Sequence, residues 1–287
     1  MLYRDFESQE ELDAQYRVRD SVEDFEEYAR FYVEKSNATR GELTCHRAVS
    51  YGPSVAEHLD IFPADRPDAP VLLFIHGGYW HSLSSEEFSF VADGPVAAGI
   101  TTVVMNYALC PDVRIDEIVR QARAAVVWLS ENIDEYGGDS DQLYVSGHSA
   151  GGHVTGMLLA TDWEADYGKP RDIIKGATAI SGLFDLEPFP YTWLQPKLQL
   201  TWGQVRRNSP IRHIPDRAPP LLITYGGEEP AEMKRQSEDF LEAWREAGLD
   251  GRHVPQPEAD HFSAIDGFLD ADSPLMTAIR EQVGVEN

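Results

Sequence analysis

Cysteine is almost absent from this 287-residue chain, lysine is scarce, and no apolar run approaches the ~20 residues of a membrane span. Each shortage excludes something. Two cysteines, Cys45 and Cys110, cannot form a disulfide framework, so a buried core must hold the fold and a reducing cytoplasm is the expected compartment. Only Lys35, Lys169, Lys175, Lys197 and Lys234 contribute lysine to 24 basic residues, against 49 acidic ones, for a net charge of −25. A field of that sign repels phosphate backbones and anionic lipid, which argues against nucleic acid or a membrane as partner. The opening stretch MLYRDFESQEELDAQ is acidic and has no apolar core, so no secretory leader is expected. HExxH, paired CxxC, GxGxxG after a strand and GxxxxGK[ST] are all missing. His76/His81 and His148/His153 lack a third ligand at useful spacing, so neither a metal nor a nucleotide cofactor is expected.

What is present reads as an α/β domain. Hydrophobic residues make up 42% and charged residues 25%, enough for a sizeable core. Stretches 46–51 and 58–62 alternate as strands around a GPS turn. Val71–Ile75 and Ile100–Met105 are continuous apolar runs, the mark of strands covered on both faces. Further strands are expected at 143–146, 174–180, 221–225 and 252–254, with helices at 116–129, 152–160 and 231–247. This alternation predicts one mostly parallel sheet with helices on both faces, spanning residues 46–287. Residues 1–45 form a separate helical cap in this reading, because Val22, Phe25, Tyr28, Ala29 and Tyr32 recur at helical spacing and need a surface to cover. Residues 184–212, rich in Pro, Trp and Leu, read as a lid.

The chemistry centres on Gly147-His148-Ser149-Ala150-Gly151, a G-x-S-x-G between a predicted strand and a predicted helix. Such a turn lifts the Ser149 hydroxyl above the sheet and aims the Ala150 N–H at a developing oxyanion. The loop His76-Gly77-Gly78-Tyr79-Trp80 follows a buried strand, where Gly78 and Tyr79, with Gly77, would complete the oxyanion hole. His76 buttresses that loop in this reading. In the chain order serine, acid, histidine, the base lies downstream of Ser149. His261 falls in the loop after the last strand, where the base belongs. His153 is on the helix after the elbow, His213 in the lid segment and His253 inside the last strand. The acid should follow strand 221–225, which leaves Glu228 and Glu229. Asp260 adjoins His261 and Asp185 lies in the lid region, so neither is favoured. Trp80, Phe184 and Trp193 are the expected aromatic lining of the substrate pocket, which takes a small molecule. Oligomeric state is left open, a homodimer among the options.

These motifs carry a resemblance. HGGYW, the stretch NYALCPDVRIDEIVRQARAAVVWL, GHSAGGH, SGLFDL and DHFS together resemble the α/β-hydrolase kynurenine formamidase (arylformamidase) group, beside the hormone-sensitive-lipase-like carboxylesterases. The related esterases usually carry a third glycine where Tyr79 stands. The resemblance implies a serine hydrolase with a Ser-His-acid triad that cleaves aryl formamides or short acyl esters, without a cofactor. Family members often place the acid six residues before an Arg-Gln pair. Here Arg235-Gln236 selects Glu229 over Glu228, and glutamate replaces the aspartate usual in the wider fold. Three other readings stay open: a general carboxylesterase, another amidase, carbamate hydrolase or thioesterase, and a non-catalytic receptor on the same fold.

Overall fold

A computed structural model describes residues 1–285. Eight strands form one sheet in the order β1-β2-β4-β3-β5-β6-β7-β8. They are β1 (His46–Ser50), β2 (His58–Phe62), β3 (Ala69–Ile75), β4 (Thr101–Met105), β5 (Gly138–His148), β6 (Ile174–Ile180), β7 (Leu221–Gly226) and β8 (Gly251–Gln256). The two pairings that involve β2 are antiparallel, and the remaining five are parallel. Every residue of β3 and β4 is buried, as their unbroken apolar runs require of strands covered on both faces. β3 sits in the middle, with Leu73 level with Val103 on one side and Val145 on the other.

The principal helices are α1 (Gln9–Tyr16), α2 (Phe25–Glu42), α3 (Ile115–Asn132), α4 (Ala150–Leu159), α5 (Ala231–Glu246) and α6 (Pro274–Val283). In α3, Ile115, Ile118, Val119, Ala122, Val126 and Leu129 recur every three or four residues and are buried as one stripe. Helix α5 repeats the device with Met233, Phe240 and Trp244.

Because β3, β5, β6, β7 and β8 run in one direction, the loops that leave them open on one edge of the sheet. In open α/β sheets that edge is where ligands bind. The segment before β1 lies across it. Helix α1 starts with a capping box, Ser8 to Glu11, and buries only Leu12, Asp13 and Tyr16. Helix α2 starts at Phe25, so Val22 of the predicted stripe lies outside it, in an extended link. Segment 184–212 is the stretch that reads as a lid in the sequence. It includes short helices such as Gln195–Leu198 and Trp202–Arg207, and its own Phe184, Leu186, Phe189, Leu194 and Leu198 are fully buried.

Candidate active site

The turn from β5 into α4 is sharp. Ser149 takes φ 57° and ψ −117° as the residue that precedes the helix, a backbone state that costs a non-glycine residue roughly 1–3 kcal/mol. Tight packing holds it there. A Cβ on Gly151 would lie 1.9 Å from the Ile75 carbonyl oxygen, so only glycine lets α4 start this close to β3. The Ser149 N–H donates to the Ile180 carbonyl at 2.8 Å, which ties the turn to β6.

The Ser149 side chain is buried and faces His261, with 3.1 Å between Oγ and Nε2. His261 Nδ1 lies 2.9 Å from Glu229 Oε2. A carboxylate accepts only, so Nδ1 carries the proton and Nε2 presents a lone pair to the serine hydroxyl. Glu229 is fully held: its Oε1 accepts from the Ser181 hydroxyl and, at 2.7 Å, from the Gly226 N–H. Glu228, the neighbouring alternative, is exposed and does not meet His261. The approach of Glu229 to His261 has a backbone cause. A Cβ on Gly226 would lie 2.3 Å from the Ala259 carbonyl oxygen, so the loops after β7 and β8 touch only because that side chain is missing.

The loop after β3 holds three consecutive residues in left-handed conformations, Gly78 (φ 107°), Tyr79 (φ 49°) and Trp80 (φ 59°). Among the described residues, none accepts a hydrogen bond from the backbone N–H of Gly78, Tyr79 or Ala150. Gly77 lies against the serine, since a Cβ there would come within 3.1 Å of Ser149 Cβ. Unclaimed donors around a buried hydroxyl can hold an oxyanion that forms on an attacked carbonyl. His76 Nδ1 donates to the Gly77 carbonyl at 2.7 Å and its ring stacks on Tyr107, 4.1 Å between centroids. Burial pushes His76 down to about 4, so it stays neutral beneath the loop. His148 Nε2 donates to the His261 carbonyl at 2.8 Å, and burial and the nearby His261 hold it well below its usual range.

Asp260 does not meet the imidazole beside it. Its carboxylate accepts from Tyr28 Oη at 2.6 Å and from the Phe262 and Ser263 N–H groups, which shapes the turn that carries His261. The other downstream histidines lie elsewhere. His153 accepts at Nδ1 from the Trp80 indole at 3.1 Å and donates from Nε2 to the Asn208 carbonyl. His253 stacks on Tyr225, and His213 is on the surface. Asp185 pairs with Arg212.

Ser149 and His261 open onto a cavity of about 280 Å³, lined mostly by apolar atoms. Its wall corrects two of the three aromatic expectations. Trp193 lines it, whereas Trp80 and Phe184 do not. Trp80 is fully buried with its N–H spent on His153, and Phe184 stacks face to face on Phe240 at 4.1 Å. Composition marked these rings as apolar lining without saying which side of the chain they would face. The opposite wall comes from residues 16–20 and Phe25, the link between α1 and α2. No motif distinguishes that link; the only sequence signal was that the apolar stripe of the N-terminal helix needed something to cover. Tyr79 ties it down, its hydroxyl donating to the Tyr16 carbonyl at 2.6 Å. Among the described residues, no group of three or more His, Cys, Asp or Glu side chains is placed to hold a metal ion.

Comparison with known proteins agrees with this architecture. The BD-FAE family model matches residues 59–244. Kynurenine formamidase from Danio rerio is 32% identical over 82% of this chain and 81% of its own length. Kynurenine formamidase from Salmo salar is likewise 32% identical, over 88% and 86%. The crystal structure of a candidate thioesterase from Silicibacter sp. TM1040 superposes with a TM-score of 0.82 at 27% identity, covering 94% of this chain and 98% of that one. The chain is therefore a hydrolase of the α/β-hydrolase fold and belongs to the BD-FAE family, in the company of the kynurenine formamidases and related esterases.

Proposed function

We propose that the protein hydrolyses aryl formamides or short acyl esters through an acyl-enzyme on Ser149. The observation that carries this reading is the continuous chain Glu229–His261–Ser149, at 2.9 Å and 3.1 Å, opening onto a largely apolar cavity. In the first step the Ser149 oxygen attacks the substrate carbonyl while His261 Nε2 takes its proton. The N–H groups of Gly78, Tyr79 and Ala150, with Gly77 alongside, hold the oxyanion. One such donor is typically worth about 3–4 kcal/mol in the transition state. Collapse expels the amine or alcohol, which leaves with the proton from His261. Water, deprotonated by the same nitrogen, then cleaves the acyl-enzyme. Glu229 keeps the imidazole in the working tautomer and stabilises its charged form.

A small acyl group suits a cavity of about 280 Å³ that must also hold an aryl ring. Kinship with two kynurenine formamidases supports the formamide over the ester. The free thiols Cys45 and Cys110 fit a reducing, cytoplasmic setting. The test is a panel of aryl formamides, acyl esters and carbamates. Turnover should fall by roughly 10⁴-fold or more in Ser149→Ala, as when a triad nucleophile is removed. Activity retained by that variant would refute the mechanism, and a strong preference for carbamates would refute the substrate class.

A further inference from the structure

The two motifs around the site each end on a residue that the hydrolytic step leaves unused: HGGYW on Trp80, and GHSAGGH on His153. Both side chains are fully buried, both lie outside the cavity wall, and they meet each other. The Trp80 indole N–H donates to His153 Nδ1 at 3.1 Å, with the ring planes perpendicular and the centroids 5.0 Å apart. An indole only donates, so His153 is the tautomer protonated at Nε2, and that N–H donates to the Asn208 carbonyl at 2.6 Å. Every polar side-chain atom of the pair is matched. Burial pushes His153 down to about 4, which keeps the accepting lone pair on Nδ1 at neutral pH.

The bond joins the two chain segments from which the oxyanion hole is built. Gly78 and Tyr79 belong to the loop after β3, and Trp80 is the next residue. Ala150 opens α4, and His153 lies one turn on, its N–H donating to the Ser149 carbonyl at 3.1 Å. The loop side needs such a hold. Tyr79 at φ 49° and Trp80 at φ 59° are left-handed without being glycine, a state that persists only where the surroundings enforce it. The Trp80 carbonyl accepts from the Cys110 N–H at 2.8 Å, and its side chain is pinned by His153. Asn208, on the far side of the imidazole, is tied in turn to the Asp116 carboxylate at 3.1 Å.

We infer that Trp80 and His153 are positioning residues for the oxyanion hole: their bond sets the N–H groups of Gly78 and Tyr79 at the spacing from the Ala150 N–H that a single oxyanion requires. This rests on the hydrolase reading above. Donors that converge on one oxygen tolerate little displacement. A shift of the loop therefore weakens transition-state stabilisation and leaves ground-state binding nearly as it was.

The test removes the bond while keeping the shape. Replacing Trp80 by 3-benzothienylalanine puts sulfur where the N–H stands, and His153→Leu removes the acceptor. Each should lower kcat about 10- to 100-fold with KM nearly unchanged. Affinity for an aryl trifluoromethyl ketone, whose adduct with Ser149 carries the oxyanion, should fall in step with kcat/KM. The double variant should lose no more than either single one, because both changes break the same bond. His153→Gln, whose carboxamide offers an acceptor and a donor, should recover most of the loss. An unchanged kcat in the benzothienyl variant overturns the proposal, as does a loss carried by KM alone. Losses that multiply in the double variant, or an equal loss in His153→Gln and His153→Leu, mark a packing role and overturn it too. Should His153→Leu not fold, the isosteric variant decides alone. Failure of the hydrolase reading looks different: the unaltered protein then turns over none of the substrate panel, and amide exchange at residues 78–80 decides the tether. Faster exchange in the benzothienyl variant upholds it; identical exchange overturns it.

Discussion

The two sides of the cavity are built in different ways. The floor comes from the carboxyl ends of parallel strands: the Ser149 turn after β5, the glycine loop after β3, and Glu229 and His261 after β7 and β8. Backbone contacts too close for any side chain lock it, at Gly151 against Ile75 and at Gly226 against Ala259. The roof comes from the segment before β1 and is held by side chains. Tyr79 reaches the Tyr16 carbonyl, Tyr32 the Phe262 carbonyl and Tyr28 the Asp260 carboxylate. A floor fixed by backbone suits chemistry that tolerates little displacement. A roof fixed by a few hydroxyl groups and rings can change from one relative to the next without disturbing the reacting atoms. In the proposed function, then, the floor carries rate and the roof carries selectivity.

That division predicts unequal responses to substitution. The largest falls on the floor. Glu229→Gln should keep the fold and lower kcat by about 10²–10⁴-fold, because the amide no longer secures the tautomer. Glu228→Gln, one residue away on the surface, should change kcat little. Comparable losses from both would mean that the acid is not the group that touches His261, and steady-state kinetics on the preferred substrate decides it.

The seam between floor and roof should respond less, and in a different constant. Tyr79→Phe removes the hydroxyl bond to Tyr16, a contact worth about 1 kcal/mol. The expected outcome is a several-fold rise in KM with kcat nearly kept, and faster amide exchange in residues 9–16. A drop in kcat with KM unchanged would place the roof among the parts that set the rate.

The last effect falls on stability and not on catalysis, and lies behind the histidine loop. Asp266 is largely buried with Oδ1 unpartnered. Burial, aided by the charge of Asp260, raises it from 3.8 to about 7. The folded protein therefore keeps a proton there that the unfolded chain releases near pH 4, so stability falls as pH rises from about 4 to about 7. Asp266→Asn should remove this slope, with a gain in Tm at pH 8 that disappears by pH 4. An identical pH profile in both proteins would contradict it.

Much of this was legible in the sequence, for physical reasons that differ by element. The strands around β3 announce themselves because burial on both faces demands unbroken apolar runs. The meeting of Ser149 and His261 with one of Glu228 and Glu229 could be anticipated because parallel strands bring those loops to one edge, whereas the choice of Glu229 rests on the family resemblance. Helix α1 could not, since QEELDAQY buries only Leu12, Asp13 and Tyr16 and shows almost no apolar face. Trp80 and Phe184 read as cavity wall in the sequence because an aromatic ring there signals an apolar setting and not a direction. The link of residues 17–24 gave no signal at all, because a short connection between two acidic helices has no periodicity to read.

The central claim is that Ser149 is a nucleophile activated by the histidine beside it. Its most direct test is covalent: treat the protein with a fluorophosphonate and map the adduct by peptide mass spectrometry. The account predicts stoichiometric labelling at Ser149 alone, slowed by orders of magnitude in His261→Ala. Full hydrolytic activity alongside an unlabelled Ser149, or equal labelling in the histidine variant, would contradict it.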